Sequence, residues 1–394
     1  MADARKNSKS SSSSNSNKKK KYKFTAMDYI TIGFTAIVVL LMIFFLVRSV
    51  KPELFKRKDR NSSKNAATAT AAVNSPTEPA PAAPTETPEY GGIGNTYGNM
   101  ANGAVAAGID SITYYVNEET RQLTVRSESG TRAIADGAVV SGSVNVIKDP
   151  FAYGDIADSV AYLVMFLDGE GNIRALTDGP YPDPDSDAVL DSEPRADEAR
   201  TLAEGNYRSF VSVGKYLYAI DRDGLVWRIA IADGEKEALS AGKYTALCVY
   251  YGEMFALGQD GGVYRLGLTP SEDNETRIID GPVRCFAVFD DWIYTGGDNG
   301  FVRYDVDTLG KDTLSTSVKP DAVNVDKRGI FYAAGGELKL ATARELLSGS
   351  GRTLGSWSGA AIPRITLTAG NTYVALASAD GSAGISEIKV FTNP

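Results

Sequence analysis

The sequence predicts an all-β chain folded as a β-propeller, with seven blades preferred and six the alternative, preceded by one transmembrane helix and a disordered linker. Three features predict it: aromatic hairpins recurring every 38 residues, an uncharged apolar run of 19 residues near the N-terminus, and an Ala/Pro/Thr-rich tract between the two. The domain plan is a basic tail over 1–27, a transmembrane helix over 28–48, a flexible linker over 49–109 and a propeller over 110–394.

The hairpins come first. In DDWIYTGGDNGFVRYDVDTLG, residues 290–310, Trp292 to Thr295 are aromatic or β-branched, Asp298-Asn299-Gly300 supplies turn residues, and Phe301 to Tyr304 resumes the strand. Asn-Gly is favoured where a tight turn needs positive φ. KYLYAIDRDGLVWRIA and GEMFALGQDGGVYRLGL upstream, and GIFYAAGGELKLA downstream, repeat the pattern. Tyr216, Met254, Trp292 and Ile330 enter successive hairpins 38 residues apart. Phe210, Cys248, Phe286 and Asn324 keep the same 38-residue spacing in a preceding apolar run, so each repeat holds at least three strands.

NTYVALASADGSAGISEIKVF follows the regular set, and SITYYVNEETRQLTVR and VAYLVMFLDGEGNIRALT precede it, which makes seven hairpins. Residues 110–394 divided among seven give roughly 41 each, inside the ~40–50 range of four-stranded propeller blades. A small sheet cannot bury a sufficient core alone. Stacking sheets face to face in a closed array buries a continuous apolar layer and leaves only short edges.

The hairpin at 290–310, with its strand, Gly turn, second strand and the turn from Asp305 to Gly310, resembles the quinoprotein-like repeat of bacterial β-propeller proteins. WIYT at 292–295 and YLYAID at 216–221 are similar to the YWTD-like repeat of receptor propellers, without a full YWTD tetrad. The resemblance covers 110–394 and implies a binding scaffold. Some quinoprotein relatives also hold a redox cofactor in the central channel through a carboxylate-bound calcium and a stacking tryptophan. Trp227 and Trp292 fall inside blade hairpins, where packing accounts for them, and Trp357 is the only other tryptophan.

The N-terminal region carries a separate message. Tyr29 to Val47 runs 19 residues without a charge, and at ~1.5 Å per residue such a helix spans the ~30 Å hydrocarbon layer. RSVKPELFKRKD follows instead of a small-residue cleavage site, so the reading is an uncleaved signal-anchor. Basic residues flank both ends, eight in 1–27 and seven in 48–64, so charge bias does not choose an orientation. AATATAAVNSPTEPAPAAPTETPEY, 66–90, has the composition of a semi-extended spacer and places the propeller outside the cell membrane. The Gly-rich run GGIGNTYGNMANGAVAAG, 91–108, extends the linker and lacks the strand and third glycine of a nucleotide loop.

Charge narrows the partners. Residues 1–65 hold 15 of the 41 basic and 4 of the 49 acidic residues, leaving the remainder at −19. That field repels nucleic acid and favours cationic or neutral partners. There is no histidine, which removes Ser-His and Cys-His nucleophile pairs. Gly355-Ser-Trp-Ser-Gly359 has tryptophan where a nucleophile elbow needs serine, and reads as a loop. Asp221, Asp223, Asp260 and Asp298 sit in hairpin turns, where Asp serves the backbone.

One acidic segment is different. In PYPDPDSDAVLD, Asp183, Asp185 and Asp187 alternate and Asp191 lies beyond, a spacing able to wrap oxygens around Ca²⁺, although the Gly and Glu of an EF-hand loop are missing. These four are the metal candidates, and no other cofactor is expected. The same segment lies in the insertion from Gly179 to Gly205 that breaks the repeat, and such departures often mark a binding face. Cys248 and Cys285 fall in adjacent blades and read as buried free thiols. Two functions remain. The first is a non-catalytic, membrane-tethered scaffold binding a protein or glycan at the cell surface. The second is a surface glycan lyase or hydrolase using carboxylates in the propeller channel.

Overall fold

The computed structural model describes residues 95–392 except 118, 140–141, 150–158, 184–185, 187–189, 191, 272–273, 359–360, 369–370 and 379–384. The anchor at 29–47, the basic tail and most of the linker lie outside the described residues. No helix among the described residues is long and apolar enough to cross a membrane.

The described chain is an all-β propeller. Six blades have four or more strands, at 106–135, 144–203, 207–238, 244–279, 285–315 and 322–356, and a three-stranded sheet at 361–392 closes the ring. The expectation of seven hairpin units with six or seven blades thus resolves into six full blades and this smaller sheet. Within each blade the strands follow one another from the inside out, all antiparallel, except that blade 2 carries two short outer pieces, Arg195–Ala196 and Arg200–Ala203, on the same third strand. The inner strand of the closing sheet, Ala361–Leu367, packs between those of blade 6 and blade 1.

The inner strands read as nearly continuous apolar runs because both of their faces are covered, as in Ala322–Asp326 with burial at every position but the last. Apolar clusters then fill each seam between blades, for example Phe255, Phe286, Val288 and Ile293 between blades 4 and 5. At 25–30 cal/mol per Å² such burial is the main favourable term of the fold.

Turn chemistry sets the register. In blade 5 the inner hairpin closes on Asp290 and Asp291, both in the left-handed region (φ 50° and 60°), which small polar residues tolerate better than branched ones. The next hairpin of the same blade turns on Asp298-Asn299, and Gly300 at φ 97° admits no side chain, because a Cβ there would lie 2.3 Å from the carbonyl oxygen of Ser315. The even 38-residue spacing conceals a one-residue alternation: the inner turns fall at 214–215, 251–252, 290–291 and 327–328. Because strand side chains alternate faces, this shift redirects equivalent positions. Cys248 and Asn324 reach the centre of the ring, bonding Tyr97 and Asn99.

The centre is occupied by the chain itself. The Gly-rich run expected to continue the linker through 109 instead folds from Asn95 onward, into helix α1, Tyr97–Ala101, and the first inner strand, Ala106–Ile109. Helix α1 packs on the inner strands of blades 4, 5 and 6 and of the closing sheet. The Asn99 side chain donates to the Leu367 carbonyl and accepts from the Leu367 amide, both at 2.7 Å, and accepts from Asn324 Nδ2 at 2.8 Å. Asn102 donates to the Val323 carbonyl at 2.7 Å and accepts from the Ile365 amide at 3.0 Å. Asn95 donates to the carbonyls of Ala106 and Val144, both at 3.1 Å. Small residues suit this place: a Cβ on Gly98 would stand 2.0 Å from Asn324 Oδ1. The short helix α2, Ala343–Leu347, opens with a capping box between Thr342 and Glu345.

Cys248 is buried and Cys285 half-buried, and both are free thiols.

Candidate functional site at the seam of blades 1 and 2

The repeat is least regular where blade 1 meets blade 2, and polar chemistry concentrates there. Asp178, on the third strand of blade 2 (Ile173–Pro182), is fully buried. An isolated buried carboxylate is costly, and this one is answered from both blades. Tyr114, on the second strand of blade 1 (Ile112–Val116), donates its hydroxyl at 2.9 Å to Asp178 Oδ2, and Tyr181 donates to the same oxygen at 2.8 Å. Arg132, from the outer strand of blade 1 (Gly130–Ala135), pairs with Asp178 Oδ1 and donates to the Tyr181 hydroxyl at 3.0 Å.

Protonation follows from this arrangement. Burial, and then the Asp178 charge, hold the Tyr114 phenol well above its ordinary value and push Tyr181 up to about 12. Burial works against the charge on Arg132, but its hydrogen bond to Asp178 and their attraction outweigh it, so the guanidinium holds its proton more firmly than usual.

A second bond crosses the seam: Tyr162 donates to Asp110 Oδ2 at 2.6 Å, and its phenol is raised by burial and by that carboxylate. The Tyr162 and Tyr181 rings lie 5.4 Å apart, tilted by 50°. With both hydroxyls engaged, the rings are fixed.

Above them is a cavity of about 490 Å³, within the range of small-ligand sites. Ile112, Tyr162, Pro180, Pro182 and Leu190 give it apolar walls. Asp110, Glu128, Asp183 and Glu193 add carboxylates, and no lysine or arginine is among the described lining residues. The turns that build it, after the first and third strands of blade 1 and the third strand of blade 2, emerge at one end of the ring because successive strands alternate in direction.

Of the metal candidates, Asp183 borders this cavity, whereas Asp185, Asp187 and Asp191 lie outside the described residues. No group of three or more potential metal ligands occurs among the described residues. The insertion supplies Pro180 to Asp183, Leu190 and Glu193 to the cavity. The buried Asp178 group escaped sequence reasoning, because nothing local distinguishes TDGPYP from a turn. Tyrosines at 114, 162 and 181 beside a broken repeat were the available signal.

The channel is arranged differently. Among the described inner-strand residues the one acid is Asp326, which accepts from the amide and side chain of Arg328 at 2.8 Å each, so these strands bring no two carboxylates together. Of the turn aspartates, Asp221 and Asp260 act on backbone, whereas Asp298 lies 3.6 Å from the Arg284 guanidinium. Asp221 accepts from the amides of Asp223 and Leu225 and from Trp227 Nε1, and Asp260 accepts from the Gly262 amide and the Tyr264 hydroxyl. Trp292 packs under Arg303, 4.1 Å from its ring centre. Gly355 and Ser356, read as part of a loop, end the outer strand of blade 6, Arg352–Ser356.

No family model matches the chain, and no curated protein matches it. Solved structures do. It is similar to YCF48 from Cyanidioschyzon merolae (12% identity, 72% of this chain and 92% of that one, TM-score 0.42). It is also similar to a chain of the mitotic checkpoint complex (13%, 81% and 99%, 0.44) and to the computationally designed Ika8 protein (11%, 77% and 90%, 0.41).

Proposed function

We propose that the chain is a membrane-tethered scaffold at the cell surface, non-catalytic, whose propeller binds a protein or glycan at the seam of blades 1 and 2. The observation that carries this reading is the cavity beside the inserted segment, floored by Tyr162 and Tyr181, whose hydroxyls are already held by hydrogen bonds. Preorganised walls lower the entropic cost of docking. The uncharged run at 29–47 supplies the bilayer anchor and the 66–90 tract the spacer. The filled channel, without paired carboxylates on its described inner strands, supports binding over the lyase or hydrolase alternative.

Protease shaving of intact cells followed by proximity labelling from the tethered protein tests the proposal. Release of the propeller by shaving, together with a labelled set that changes when 180–194 is replaced by a short turn, is the expected result. A propeller untouched while a known surface protein is cleaved sinks the placement.

A further inference from the structure

We infer that the seam cavity takes a cationic side chain, the lysine or arginine of a partner protein's peptide segment, with the apolar neighbours of that residue on its walls. This rests on the binding reading above and names the occupant.

The first argument is charge complementarity. Glu128 and Glu193 are exposed at the mouth, Asp110 and Asp183 stand beside them, and no cation is among the described lining residues. Arg132, the guanidinium inside the seam, is turned to Asp178, so its charge is spent there. The described lining therefore presents an acidic mouth over apolar walls.

The second argument is shape and chemistry. Lysine and arginine carry an aliphatic stem under a charged head, and they bury the stem on apolar surface while the head seeks carboxylate. Ile112, Pro180, Pro182 and Leu190 match the stem, and the fixed rings of Tyr162 and Tyr181 add electron-rich surface suited to a cation. An anionic ligand would meet like charge and find no basic partner among the described lining residues. A glycan would use the serines of the rim, such as Ser111 and Ser192, but would bring no charge to the exposed Glu128 and Glu193. The strong negative balance of residues 66–394 reinforces the same choice, by raising the local concentration of cationic segments.

The test uses the full chain in detergent micelles and a displayed peptide library with one fixed central position, lysine, arginine, norleucine or glutamate, and random flanks. The expected result is recovery of lysine- and arginine-centred peptides with apolar flanks, weakening as salt rises. In Glu128→Gln/Glu193→Gln, binding of the recovered peptides should fall about three- to tenfold, the range for two partly exposed charge pairs. Glu119→Gln, in the same blade but at the opposite end of the ring, should leave it unchanged. Both variants alter exposed residues, and their unfolding midpoints confirm that the fold is intact. Equal recovery of norleucine-centred peptides, or equal binding by the Glu128/Glu193 variant, overturns the inference. Binding to an oligosaccharide array in place of peptides also overturns it, while leaving the scaffold reading standing. Failure of surface shaving removes the scaffold reading and leaves the peptide result to be judged on its own.

Discussion

Blades 3 to 6 and the seam of blades 1 and 2 solve the same packing problem by different means. In the regular blades, carboxylates sit in turns and satisfy nearby amides, as Asp221, Asp260 and Asp305 do, and the seams are closed by apolar side chains. At the irregular seam an apolar cluster is also present, but a carboxylate is drawn inside, held by Tyr114 and Arg132 from far away in sequence and by the nearby Tyr181, and a cavity opens beside it. A turn aspartate is replaceable by water. A buried one is not, so the second arrangement is rigid where the groups meet and costly to disturb.

The largest test of that difference is Asp178→Ala. It leaves the Arg132 guanidinium and the Tyr114 and Tyr181 hydroxyls without their acceptor. Removing one partner of a buried pair costs about 3–5 kcal/mol. Chemical unfolding should show a loss of that size, and a loss below about 1 kcal/mol would mean that water replaces the carboxylate and that the seam is no stiffer than a turn.

Next in size is Gly98→Ala, which asks whether the segment inside the ring holds irregular and regular blades together. Its Cβ would fall 2.0 Å from Asn324 Oδ1, so helix α1 or Asn324 must move. Overpacking of this kind costs about 1–3 kcal/mol. Hydrogen exchange should then quicken at the amides of Ile365 and Leu367, which donate to Asn102 and Asn99. Unchanged protection there would show that the ring closes without its internal strap.

The regular blades and the one-residue alternation of their turns show what a sequence reveals. Strand, turn and strand are encoded within some fifteen residues, and Trp292, Asp298 and Gly300 announce them without reference to anything distant. The 38-residue period then made the array visible, and only the small alternation in register was hidden. Asn95, Asn99 and Asn102 were invisible for the opposite reason. Among glycines and alanines they read as linker, and the partner that makes Asn99 structural is 268 residues away. The seam falls between these cases. The broken period at 179–205 pointed to the place, but the meeting of Tyr114 with Asp178, 64 residues apart, depends on two blades lying side by side.

Tyr181→Phe separates hydrogen bonding from titration at the seam. At neutral pH it removes one donor to Asp178, a loss of about 1 kcal/mol. The alkaline behaviour carries the sharper signal. In the folded chain the Tyr181 phenol keeps its proton to about 12, whereas an unfolded tyrosine releases it near about 10. The raised folded value means that its contribution is complete below about 10 and is lost as pH rises through about 12. Stability of the parent should therefore fall across that window, and the variant's should fall less steeply. Parallel slopes would mean that Tyr181 meets solvent as freely as an exposed phenol, and that the floor of the cavity is not fixed.

The smallest expected effect belongs to Asp305→Ala in blade 5. Asp305 accepts from the amides of Asp307 and Thr308 and from the Thr308 hydroxyl, at 3.2, 2.7 and 2.8 Å. The number of bonds alone would rank it beside Asp178. Exposure ranks it far below, because water can reach the same donors once the carboxylate is gone, leaving a net loss of about 0.5–1 kcal/mol. Measured in parallel with Asp178→Ala, the two variants ask whether burial or bond count governs the cost of losing a carboxylate in this ring. Equal losses would give the answer to bond count, and the seam of blades 1 and 2 would then differ from its neighbours in shape alone.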